Sequence, residues 1–525
     1  MRDLSISDES GSEGTVDVVR SDQMTAVSAG LDFPWRWVWS ALVTGGVAGG
    51  ISTATLWGKD VSEHSAAMEV GMKVAAAVLA ILATFIAVHR LRLSQKEHAR
   101  QVAADQNAKL DAIERRITEL SAKASEQLGS DKATVQIGGL TDLERLAQNY
   151  PSLRQVAVDR ICAYLQMPIP LASLEETQVS TASPMEILSD PVRVASVSPE
   201  AQREIRVRLT AQRILARHLR RSSSETFWPN MSIDLSGAVL IDFDMSEAYI
   251  DSADFRYVNF VGQTTFNRGV FAQVADFSYS TFYGWVDFTQ ASFDENAGFE
   301  KSEFRQSAAF DYTEFGKIAY FQGAKFCGGS TFGNTSFGDV AHFDYAEFGE
   351  GVTFVDAMVS QAAVFEHATF KGYAGFSGVR FRCPRYFAAR FEEGASFNGA
   401  RFIGNAKFGS MFHGHTTFEE VYFDEDVVFM SAHFEGDISF DGTNFNGGAH
   451  FARVIFDGDV SFHRCIFGPY VHFGTARFAR QPILHYAKAT ESPHHVWPLG
   501  WGVDSVADAD GLFELIPPQN PETGR

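Results

Sequence analysis

FNRGVFAQVADFSYSTFYGWVDFTQASFDENAGFEKSEF, residues 266–304, decides how this chain folds. Phenylalanine stands at 266, 271, 277, 282, 288, 293, 299 and 304, so its spacing alternates between five and six. That period is neither the 3.6 of a helix nor the 2.0 of a simple strand. A chain burying one large side chain every five or six residues must turn a corner between them. Four short faces then close a coil of about 20–22 residues, and successive coils stack at the strand spacing of about 4.8 Å. The phenylalanines point inward as columns, and each coil touches only its neighbours.

The pattern extends in both directions from this stretch. Towards the N-terminus it runs in strict fives through Leu235, Leu240, Met245, Ile250, Phe255 and Phe260. Two residues before each stands a second inward residue, usually small: Ile233, Ala238, Phe243, Ala248, Ala253 and Val258. Towards the C-terminus the five-and-six spacing continues to Phe473 and Phe478, with Val359 alone in place of Phe after Phe266. From Leu235 to Phe478 there are 46 inward centres. At four per coil they give about 11.5 coils and a stack on the order of 55 Å long.

Two steps are short. Phe387 to Phe391 and Phe408 to Phe412 span four residues and lie one coil apart, which predicts a dent on one face of adjacent coils. Around them gather Arg380, Arg382, Arg385, Arg390, Arg401 and Lys407, with Arg380 and Arg401 at equivalent positions. Residues 231–480 hold 32 acidic and 17 basic side chains, a net of 17 − 32 = −15, so the cluster contrasts with its surroundings. It reads either as a site for an anion or acidic partner, or as a solvated face whose arginines pair with Glu392 and Glu393. His450 and His472 also repeat one coil apart, but a third ligand is lacking, so no metal is expected.

The triplets Ala253-Asp254-Phe255 and Ala275-Asp276-Phe277 resemble the A-(D/N)-L-x-x unit of the pentapeptide-repeat family. The five-and-six spacing resembles a Phe-centred subtype of it. IGGLTDLERLAQ (137–148) and ARHLRR (216–221) resemble the helical segment preceding such repeats in actinobacterial proteins. The resemblance covers nearly half the chain and implies a mainly β fold, a right-handed quadrilateral β-helix. It implies no single activity. Some members resemble a DNA duplex in width and charge and act on DNA gyrase, so a DNA-mimic regulator of a topoisomerase is an alternative reading.

The N-terminal part reads differently. Residues 1–33 are polar, acidic and Ser-rich and predict disorder. Residues 34–93 predict two transmembrane helices joined by a short outside loop. The first, 37–57, carries no charge and has Trp35, Trp37, Trp39 and Trp57 at its ends, an aromatic belt. Gly45, Gly46, Gly49 and Gly50 form overlapping small-xxx-small pairs, which pack on the second span or on another copy. The second span covers 70–89. Arg36 precedes the pair and Arg90, Arg92, Lys96 and Arg100 follow it, placing both termini and the repeats in the cytoplasm.

Residues 94–130 predict a helical stalk with a short coiled-coil seam, Leu110, Ile113, Ile117 and Leu120. Residues 131–222 predict α-helices that cap the repeats: a pair parted near Tyr150 and Pro151, with capping-box spacing at Thr141 and Glu144, then a helix with Ser198 as N-cap and Pro199 in its first turn. The β-helix occupies 231–480. Residues 481–525, with Trp497, Trp501 and Phe513, predict a C-terminal cover.

A net charge of −21 over 525 residues argues against direct nucleic-acid binding. Four scattered cysteines form neither a zinc motif nor a disulfide framework and fit a reducing compartment. No catalytic constellation or cofactor motif is evident. The expectation is therefore a membrane-anchored cytoplasmic scaffold or protein-interaction module, not an enzyme and without cofactor. Its partners would be an unidentified protein, the lipid bilayer, and other copies through the spans and stalk. An oligomeric channel or sensor component is a further alternative.

Overall fold

The computed structural model describes residues 39, 40, 43, 61–169, 198–383, 387–498 and 500–517, apart from the side chains of 61–67, 110 and 113. The chain divides into two units, residues 1–114 and 115–525.

The first unit contains most of helix α1, Val61–Leu128. No Gly or Pro interrupts residues 72–128, so the expected second span and the stalk form one continuous helix. Part of it is long and apolar enough to cross a membrane by length and composition, and that part is not buried. The expected first span, with Gly45, Gly46, Gly49 and Gly50, lies almost wholly outside the described residues, as do those four glycines.

In the second unit, α2 (Ala133–Asn149) and α3 (Arg154–Leu165) are parted at Tyr150 and a turn at Pro151–Leu153, as expected. The capping box at Thr141 and Glu144 is corrected. Thr141 lies mid-helix and its hydroxyl donates to the Ile137 carbonyl at 2.9 Å. The helix runs through Gly138 and Gly139 because α2 packs closely on the end of α1 there. A Cβ on Gly139 would meet the Ala124 carbonyl at 2.9 Å. Glu144 instead faces Arg217 at 2.7 Å and His218 at 2.8 Å. Helix α4 (Pro199–Leu219) begins as expected, with Ser198 accepting the Ala201 amide at 3.2 Å and Pro199 in the first turn.

The rest is a mainly β solenoid of about 12 turns. Its short strands pair in parallel along four ladders. Ladder 1 starts at Ile233↔Ala253, ladder 2 at Leu240↔Phe260, ladder 3 at Phe243↔Thr264 and ladder 4 at Tyr249↔Val270. The five- and six-residue steps make two kinds of corner between them. From Phe255 to Phe462, each five-residue step puts the second residue after Phe at positive φ, for example Tyr279 at 60° and Lys301 at 52°. The six-residue steps use an extra residue instead, and the one between ladders 2 and 3 is lined by glycines because the coils approach closely. A Cβ on Gly436 would fall 2.6 Å from the Gly414 carbonyl.

Coil size explains the change of inward residue. The first register step, Ile233↔Ala253, is 20 residues; the next, Ala253↔Ala275, is 22. The smaller coil is filled by Leu235, Leu240, Met245 and Ile250, and the wider ones by Phe, all essentially buried. Each Phe stacks on its counterpart one coil away; Phe310 and Phe332 lie 4.8 Å apart at 1°. Phe columns meet edge-to-face within the stack, as with Phe299 and Phe310 at 5.6 Å and 90°.

At the short steps the positive-φ corner residue is the one deleted, while the inward small residue is kept as Ala389 and Ser410, both buried. Ser410 Oγ donates to the Phe387 carbonyl at 2.7 Å and accepts the Ala389 amide at 3.3 Å, which staples the two shortened corners together. Phe387 still stacks on Phe408 at 4.9 Å.

Side-chain amides end the stack at the N-terminal side. Gln212 of α4 donates to the Ile241 carbonyl at 2.6 Å and accepts the Ile241 amide at 2.9 Å. Gln155 of α3 does the same for Ser232, at 2.8 and 3.0 Å. Each glutamine supplies the two hydrogen bonds a further strand would make. The fully buried Arg208 donates to the carbonyls of Leu165 at 2.7 Å, Val239 at 3.2 Å and Met167, and pairs with Glu204 at 2.8 Å. Trp228, also fully buried, stacks under His218 and donates to Gln148 at 3.0 Å.

At the other end, parallel pairing outlasts the last Phe: Ile466–Phe467 pairs with Lys488–Ala489, and Leu484 and Ala489 fill the inward positions. An antiparallel hairpin, Gly502–Ala507 and Phe513–Ile516, then closes ladder 4, and Trp497 packs against Phe467 and Phe473.

Three outcomes test this account. Phe321→Ala in mid-stack should cost about 3–5 kcal/mol in denaturant unfolding, as for other large core truncations. Gln212→Ala should cost about 1–3 kcal/mol by leaving the Ile241 amide and carbonyl unpaired, and should speed hydrogen exchange at Ile241. Ser410→Ala should cost about 1–2 kcal/mol and speed exchange at Ala389.

Candidate partner-binding surface

Along each ladder the residue before an inward Phe points outward, so equivalent residues of successive coils line up as stripes about 4.8 Å apart. On ladder 4 one stripe runs Met358, Arg380, Arg401, Tyr422, each in register with the next. All four are exposed, Met358 at 45% and Tyr422 at 49%. Arg382 and Ile403 stand two residues beyond Arg380 and Arg401 and are exposed as well.

The six basic residues picked out from the sequence do not form one cluster. Arg380 and Arg401 pair on ladder 4 and Arg382 follows at the next corner. Arg390 lies on ladder 2, between Thr369 and Met411, and Lys407 lies on ladder 1 beside Val428. Arg385 lies outside the described residues. The shortened corners join ladders 1 and 2, so Arg390 and Lys407 flank them while the arginine pair sits elsewhere.

Ion pairing divides the cluster too. Arg390 meets Glu392 at 3.3 Å, as the solvated-face reading expects, and Arg401 meets Asp424 at 2.9 Å. Arg401 remains 56% exposed despite its partner. Among the described residues Arg380, Arg382 and Lys407 have no carboxylate within 4.0 Å, the ion-pair limit. Met358, Ile403 and Tyr422 were missed by searching for charge alone. The 21- and 22-residue spacing of the positions before each centre would have found Met358 and Tyr422.

Two other features fall outside this stripe. His450 and His472 stack in register on ladder 1; burial holds the His450 imidazole below its usual range, partly offset by Asp426. No group of three metal-binding side chains occurs among the described residues. A cleft of about 460 Å³ lies against α4, lined by Arg213, Arg217, Arg220, Asp242 and Asp244 among others. Burial opposes ionisation of Asp244, but hydrogen bonds from Ser246 and Arg220 and the Arg220 charge outweigh it and hold the carboxyl below its usual range. Two carboxylates stand against three arginines there, with Arg220 paired to Asp244 at 2.6 Å and Arg217 to Glu144 at 2.7 Å.

Residues 418–466 match the family described as Pentapeptide repeats (9 copies). No curated protein and no solved structure matches the chain. The matched coils share their parallel ladders and stacked Phe with the coils on either side, from Leu235 to Phe478. Residues 418–466 are thus pentapeptide repeats, and the Phe-centred coils on either side continue the same solenoid.

Proposed function

We propose that this chain is a membrane-anchored scaffold whose solenoid presents outward stripes to a protein partner on the cytoplasmic side. A pentapeptide-repeat solenoid is a protein-interaction type of fold, and the family is generally non-enzymatic. The observation that carries the reading is the combination, in one chain, of a helix suited to a bilayer and a solenoid whose interior is filled by its own side chains. A filled interior leaves binding to the outer faces. In this reading the anchor has two spans, 37–57 and 70–89. The basic residues Arg90, Arg92, Lys96 and Arg100 favour the cytoplasm for the segment that leads to the repeats. The solenoid is taken as the right-handed, four-sided coil of its family.

The chain carries its own topology reporters. Cys327 and Cys383 are exposed, whereas Cys162 and Cys465 are buried. Burial pushes the Cys162 thiol up to about 12 and raises that of Cys465 as well, so both stay protonated and unreactive near neutral pH. In membranes from expressing cells the protein should resist carbonate extraction. A membrane-impermeant maleimide should modify Cys327 and Cys383 only after permeabilisation, and the other two thiols only after unfolding. Release by carbonate would overturn the anchor, and labelling of intact cells would overturn the cytoplasmic placement.

A further inference from the structure

We infer that the ladder 4 stripe from Met358 to Tyr422 is a docking surface for an acidic peptide segment that interleaves carboxylates with apolar side chains. The inference rests on the scaffold reading and names its contact face.

The stripe has the composition of an interface centre: arginine, methionine and tyrosine on adjacent rungs. Two exposed guanidinium groups, Arg380 and Arg401, sit between two exposed apolar side chains, Met358 and Tyr422. Arg382 adds a third positive charge and Ile403 adds apolar surface. Among the described residues Asp424 is the one carboxylate paired with any of these arginines, so the stripe keeps an excess of positive charge on a region whose net charge is −15. A surface of this kind selects a ligand with the opposite order, an apolar residue at each end and carboxylates between. Its rungs repeat about every 4.8 Å.

Two other occupants fit less well. An anionic bilayer would have to approach the whole acidic solenoid, and the remaining carboxylates oppose that approach. A second copy of the solenoid brings the same net negative charge, which opposes self-docking outside this stripe.

The test uses the full-length chain in detergent and a fluorescein-labelled twelve-residue peptide, (Leu-Glu-Glu-Leu)3, with fluorescence anisotropy as readout. Saturable, salt-sensitive binding is expected, at least ~10-fold tighter than that of the Lys counterpart (Leu-Lys-Lys-Leu)3, since opposite charges attract and like charges repel across an interface. Arg380→Glu/Arg401→Glu should weaken it by at least ~10-fold, and so should the milder Arg380→Gln/Arg401→Gln, which keeps the fold free of stacked like charges. Met358→Ala/Tyr422→Ala should also weaken it, while Arg390→Glu/Lys407→Glu on the other ladders should leave it unchanged. Absence of saturable binding, an equal loss in the Arg390/Lys407 variant, displacement by phosphatidylserine vesicles, or blockage by self-association would each overturn the proposal. In-cell crosslinking separates this from the scaffold reading. An identical partner set for wild type and Arg380→Gln/Arg401→Gln would overturn the site and leave the scaffold standing, and no captured partner at all would remove both.

Discussion

Everything in the solenoid depends on the agreement of two distances. Parallel strands repeat at about 4.8 Å, and offset-stacked phenyl rings accept centroid separations from about 4.5 Å upward. The rings of Phe282, Phe304, Phe326 and Phe348 follow one another at 4.9, 4.6 and 4.9 Å, within 5° of parallel. A hydrogen-bonded ladder and an aromatic column can therefore share one axis without strain. A slip of one residue would turn a Phe outward and break the column, so the register is held by burial as well as by hydrogen bonds.

Stacking solves the interior and creates two open ends. A coil with nothing above it exposes amides and carbonyls on all its sides, which is costly under a packed helix and invites strand addition in water. At the N-terminal end the helices answer with side chains. Gln155 and Gln212 copy the bonding of a strand, and Arg208 gathers three carbonyls. At the C-terminal end the chain switches to an antiparallel hairpin and indole packing. Polar caps where helices cover the end, and strands where the chain itself returns, are two answers to the same accounting.

Because the interior is uniform, variation is left to the outside. Each coil offers four outward positions before its inward residues, and the ladders copy them into stripes. Ladder 3 carries mainly small polar residues such as Thr331, Thr353, Thr417 and Ser439, and the Thr331 hydroxyl donates to Asp311 of the preceding coil. Ladder 4 changes character at Met358 and again after Tyr422. A scaffold built this way can alter a recognition stripe without disturbing the column behind it, since the stripe and the column point in opposite directions.

Much of this was legible in the residues themselves. The Phe period dictated the coil, its length and its inward set, because a large apolar side chain recurring every five or six residues has few other ways to be buried. Ser198, Pro199 and the break at Tyr150 marked helix limits through local backbone chemistry. Thr141 and Glu144 misled for the opposite reason: a capping pattern is local, while the close packing of Gly139 on Ala124 is tertiary and carries the helix through it. The six basic residues were found as a cluster along the chain, yet a coil turns a corner every five residues, so neighbours in sequence land on different faces. The 21- and 22-residue period already aligns Arg380 and Arg401 with Met358 and Tyr422, whereas the folded register is what sends Arg390 and Lys407 to other ladders. Inward positions follow from composition and period; outward company is decided by which residues the stacked coils bring into line.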